Sequence, residues 1–127
     1  MKSTRDELLR RLRDICLPLP ECKEMLKWGN PTFLAGKKTF AVLDRYQDRW
    51  CIAFVASTEE QRALIARPGF FAAPYAAKYG WVCRDAEGRV AWKELEQLLL
   101  KSYRRVALKR MLLSLSEREL NSPAKDP

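Results

Sequence analysis

Between residues 32 and 56 three extended runs follow one another with only three residues between each and the next. No other feature constrains the fold as tightly. The runs are 32–35, 39–45 and 49–56, with turns at Gly36-Lys37 and Tyr46-Gln47-Asp48. A parallel neighbour needs a crossover of a dozen or more residues, so connections this short make an antiparallel meander. The third run puts Trp50, Ile52 and Phe54 on one face and Cys51, Ala53 and Val55 on the other. A strand apolar on both faces is covered on both, which places it centrally in the sheet. A helix layer or a dimer partner would supply the second cover.

Helices flank the meander. Thr4 and Glu7 form a capping box, each side chain satisfying an orphan amide of the first turn. Leu8, Leu12 and Ile15 then recur at helical spacing to about residue 16. Asp6–Arg10, Glu7–Arg11 and Arg10–Asp14 stand at i,i+4 and are expected to pair. Pro18 and Pro20 end this helix. Residues 21–26 read as a further short helical turn, and Trp28-Gly29-Asn30-Pro31 breaks the chain before the sheet. Ser57 and Glu60 repeat the capping box for a helix over 58–66 that Pro68-Gly69 stops.

The apolar stretch 70–75 reads as irregular, 79–84 as a fourth strand, and 85–88 as a turn. Residues 92–113 read as one last helix, poorly capped because Val90 and Ala91 offer no side-chain acceptor. The expected class is α+β: an antiparallel sheet of about four to five strands with helices packed on one face. A single domain is expected over 1–116, with 117–127 as a frayed tail.

The formal charge is +8, which favours polyanionic partners such as DNA. Catalytic templates find little here. There is no histidine to serve as a base, and the five glycines are scattered rather than gathered into a phosphate loop. The four cysteines, Cys16, Cys22, Cys51 and Cys83, form no Cys-x-x-Cys pair, so no metal site and no cofactor is expected. They read as reduced, small buried hydrophobes. No apolar run reaches the ~20 residues that span a bilayer. A cytoplasmic, non-enzymatic protein, monomeric or weakly dimeric, is the expectation.

Charge concentrates late in the chain. Over 93–110 six cations stand against Glu94 and Glu96, and Lys101, Arg105 and Lys109 are spaced to stack along one helix face. The turns add Lys37 and Lys38 at the first hairpin, with Arg45 and Arg49 flanking the second. These seven are the candidate phosphate contacts. Trp28, Phe33, Tyr75, Trp81 and Tyr103 are candidate stacking or pocket residues. If they line a concave site, the chain would instead be a small-ligand or protein-binding module.

Three signatures carry a family resemblance. Trp28-Gly29-Asn30-Pro31-Thr32-Phe33 runs into Gly36-Lys37-Lys38-Thr39-Phe40-Ala41. Arg67-Pro68-Gly69-Phe70-Phe71 precedes Pro74-Tyr75 and Tyr79-Gly80-Trp81-Val82. Ser102-Tyr103-Arg104 lies on the last helix. Together they resemble the MmcQ/YjbR family over roughly residues 8–113. The resemblance implies a CyaY-like, double-wing α+β fold and a DNA-binding label that rests on fold analogy. Frataxin shares that architecture, but Arg10, Arg11 and Arg13 interrupt the acids of the first helix, so iron delivery is not expected.

Overall fold

The computed structural model describes residues 4–121. The elements run α1 (Arg5–Cys16), β1 (Cys22–Lys27), β2 (Asn30–Ala35), β3 (Lys38–Tyr46), β4 (Arg49–Val55), α2 (Thr58–Ile65), β5 (Phe70–Ala72), β6 (Trp81–Asp85), α3 (Trp92–Val106) and α4 (Lys109–Asn121). A short 3-10 turn, Ala77–Tyr79, precedes β6. The sheet has six strands in the order β1-β2-β3-β4-β6-β5, and every pairing is antiparallel. The α+β class holds, with more strands than the four to five expected.

The meander closes as its turn lengths require. β4 lies between β3 and β6, and its two faces enter two separate apolar clusters. Ile52 and Phe54 join the main core with Leu8 and Leu12 of α1, Leu64 of α2, Leu95 and Tyr103 of α3, and Met111 of α4. All four helices thus pack on one face of the sheet. On the other face Cys51 and Ala53 meet Cys83, Ala73, Phe71 and Trp81. The cover that the chain itself supplies there is the 71–76 segment and Trp81, not a helix layer.

The N-cap half of each capping box forms, while the return bond from the Glu7 or Glu60 side chain to the cap amide is not among the hydrogen bonds of the described residues. The Glu7 amide donates to Thr4 Oγ1 at 3.1 Å, and the Glu60 amide to Ser57 Oγ at 3.1 Å. The start of α3 has no side-chain cap at Ala91. Four readings need correction. Residues 21–26 are an edge strand rather than a helical turn, because their backbone pairs with β2 from Cys22↔Ala35 to Lys27↔Asn30. The stretch 70–75 is not wholly irregular, since Phe70–Ala72 pairs with β6. The strand expected from residue 79 begins at Trp81.

The last helix is two. Ala107 adopts extended backbone (φ −66, ψ 147), and α4 restarts at Lys109. α4 continues through Asn121, while residues 122–127 of the expected tail lie outside the described residues.

The i,i+4 pairs expected in α1 are not among the ion pairs of the described residues. Instead Arg13 reaches Glu24 of β1 through two hydrogen bonds, Nε–Oε1 at 2.6 Å and Nη2–Oε2 at 2.8 Å. Arg67 reaches Glu94 at 2.8 Å, and Arg110 reaches Glu21 with two bonds of 2.9 Å. Each bridge ties elements distant in sequence. In each case the arginine's hydrogen bond, ahead of its charge, holds the glutamate below the usual 4.5. A depressed folded-state value means that the unfolded chain binds the proton more tightly. Stability from these bridges is therefore complete above the ordinary carboxylate value and declines as pH falls through 4.5 and below. The pairs are exposed, so the effect of each is small. Urea midpoints measured from neutral pH downward should fall, and Glu24→Gln should flatten the slope. A midpoint that rises on acidification would contradict this account.

Candidate functional site

The cationic candidates separate by place. Gly36, at φ +63, turns β2 into β3, and a Cβ there would stand 2.6 Å from Met111 Cε. The turn is thus pressed against the start of α4. The cavity between them, about 340 Å³, has Lys37, Lys38 and Arg110 on its walls with Val106, Leu108 and Met111 as apolar lining. Lys109 precedes Arg110, and Arg105 precedes Val106. Lys37, Lys38, Arg105 and Lys109 are all exposed, and among the described residues none of them makes an ion pair.

The remaining candidates are engaged or distant. Lys101 Nζ lies 3.0 Å from Glu60 Oε2, an acid supplied by α2 rather than by its own helix. Because α3 ends at Val106, the expected stripe of Lys101, Arg105 and Lys109 along one helix does not exist. Arg49 pairs with Asp85 at 2.6 Å, and the Arg45 guanidinium lies 5.0 Å from the centre of the Trp50 ring. Arg45 and Arg49 flank the β3–β4 turn. Lys38 begins β3 and Tyr46 ends it at that turn, a span of roughly 26 Å. One end of the molecule therefore gathers unpaired cations, and the other holds cations already committed.

The aromatic candidates scatter too. Phe33 and Tyr103 are wholly buried in the main core. Trp28 is fully exposed at the β1–β2 turn, on left-handed backbone at φ 55. Only Tyr75 and Trp81 share a cavity, on the helix-free face of the sheet. It measures about 300 Å³ and has Cys51, Ala53 and Cys83 on its floor. Tyr46 and Asp44, which sequence reasoning had treated as strand-end and turn residues, complete its wall. Tyr46 also stacks on Phe71 of β5, with ring centres 6.0 Å apart, across β4 and β6. A second hollow of about 430 Å³ adjoins this one and shares Tyr46 and Cys51.

The Cys51 thiol on that floor is held protonated. A hydrogen bond with Cys83, and then burial, pushes the Cys51 thiol far above its ordinary range. Burial does the same to Cys16 and raises Cys22 to about 12. Such thiols are poor nucleophiles at neutral pH. Among the described residues no group of three or more His, Cys, Asp or Glu is placed to hold a metal ion. None of their helices is long and apolar enough to cross a membrane.

Comparison with known proteins supports the architecture. A crystal structure of a Deinococcus radiodurans protein with the DUF419 domain is 27% identical, with a TM-score of 0.68 over 91% of this chain and 88% of that one. A Pseudomonas syringae crystal structure is 18% identical, with a TM-score of 0.63 over 81% of this chain and 98% of that one, a likeness of fold alone. No curated protein matches. The YjbR family model matches residues 17–105, from the end of α1 to the last turn of α3, and the chain belongs to the YjbR family.

Proposed function

We propose that this chain binds nucleic acid, DNA first among the candidates, through phosphate contacts at the end where the β2–β3 turn meets the α3–α4 junction. Lys37, Lys38, Arg105 and Lys109 make the contacts, and Arg110 lends charge while it holds Glu21. The observation that carries this reading is the convergence of Lys37, Lys38 and Arg110 on one cavity wall. Exposed lysines on flexible stems suit a repeating row of phosphates, which they would hold without reading sequence. Arg45, Arg49 and Lys101 are secondary in this reading, because each already has a partner.

Four phosphate contacts give a slope of log affinity on log salt of about −3 to −4. Fluorescence anisotropy with a labelled DNA duplex at several salt concentrations measures that slope. Lys37→Gln with Lys38→Gln is expected to remove about two units of it. Arg45→Gln should change it much less. Absence of binding at low salt sinks the proposal, and so does a slope that the double variant leaves unchanged.

A further inference from the structure

We infer that the cavity on the helix-free face of the sheet takes a small organic ammonium ion, held by Tyr46, Tyr75, Trp81 and Asp44. This site is separate from the cationic end and does not depend on it. Three of its walls are aromatic, and Asp44 is its one charged side chain. In a protein of net charge +8, a cavity whose formal charge is negative is set apart from its surroundings. The faces of aromatic rings carry negative potential and attract cations, most strongly tryptophan and most strongly where water is excluded. A carboxylate at the wall adds the matching charge.

The carboxylate is held in place for this task. Asp44 Oδ1 accepts from Asn30 Nδ2 at 3.1 Å and from the Arg45 amide at 2.7 Å. Those two bonds orient the group, and Oδ2 takes no bond among the described residues. Lys27 hydrogen-bonds the wall residue Thr39 through Oγ1 at 3.3 Å and forms no ion pair with Asp44. Tyr75 stands fully exposed on left-handed backbone, at φ 66. A bulky side chain in that conformation is uncommon and costs free energy, and an exposed ring recovers none of it by packing. Closure over a bound cation would recover it. At about 300 Å³ the cavity is at the small end for ligand sites, which suits a trimethylammonium-sized group over a larger molecule.

Choline and its neutral isostere 3,3-dimethylbutan-1-ol, titrated by calorimetry and by NMR shifts of the Trp81 indole, separate charge from shape. Choline is expected to bind about tenfold or more tightly than the isostere. Asp44→Asn keeps both acceptor bonds and should cost choline about tenfold while leaving the isostere unchanged. Tyr75→Ala removes an exposed ring, so the fold survives, and it should weaken choline several-fold. Equal binding of the two compounds overturns the inference. An unaltered choline affinity in Asp44→Asn, or no binding by choline or tetramethylammonium, also overturns it.

Discussion

Ser102→Ala is expected to destabilise the domain by about 2–4 kcal/mol, far more than the loss of one serine hydroxyl usually costs. Ser102 is wholly buried on α3. Its Oγ accepts from the Val55 amide at 2.9 Å and donates to the Phe40 carbonyl at 2.6 Å. Those groups belong to β4 and β3, whose regular pairing stops at Ala41↔Phe54. The hydroxyl therefore bridges the two strands just beyond the end of their ladder and fixes α3 there. Alanine leaves a buried donor and a buried acceptor unpaired, each costing about 1–3 kcal/mol. Tyr103 reinforces the anchor. Its hydroxyl donates to the Pro20 carbonyl at 2.7 Å, and its ring meets Phe40 edge-on at 5.4 Å. Urea denaturation should show the Ser102→Ala midpoint well below that of Ser116→Ala, an exposed control expected to change stability by about 0.5 kcal/mol or less. Equal midpoints would remove the bridge from the account. The Ser-Tyr signature of the last helix is thus architectural, and it carries no argument for a ligand.

What could be read in advance was local. An N-cap needs only a hydroxyl and the amide three residues on, so Thr4 and Ser57 announced their helices. The second apolar face of β4 was visible from alternation alone. β1 was hidden because it is an edge strand whose Met25 and Leu26 stay exposed, so its pattern lacks the periodicity that marks a half-buried strand. No proline or glycine marks the break at Ala107-Leu108. Docking of Met111 against Gly36 accompanies it, and that contact spans most of the chain. The site suffered most from such distance. Lys101 looked unpaired within its own helix, yet its acid is Glu60, 41 residues earlier. Lys37 and Arg110 line one cavity although 73 positions separate them in the chain. The aromatic wall was half legible: Tyr75 and Trp81 were named, while Tyr46, which the sequence places in a turn, is the last residue of β3.

Gly80→Ala is expected to cost about 3 kcal/mol or more, and Gly88→Ala only about 1 kcal/mol. The two glycines share nearly the same backbone, at φ +92 and φ +88. Left-handed strain is therefore common to both and cannot separate them. Their surroundings do. A Cβ on Gly88 meets nothing within 4 Å, whereas on Gly80 it would overlap the Ala56 carbonyl oxygen. That oxygen is backbone and cannot rotate away as a side chain would. The approach is tight because the Ala56 amide donates to the Gly80 carbonyl at 2.9 Å, which ties the 3-10 turn to the end of β4. Relief of the overlap would pull the turn outward, break that bond and shift Trp81, the next residue. Gly80→Ala should therefore lower both the thermal midpoint and the affinity for choline, while Gly88→Ala leaves choline binding intact. Equal losses of stability in the two variants would mean that dihedral strain alone, and not the contact with Ala56, requires a glycine at position 80.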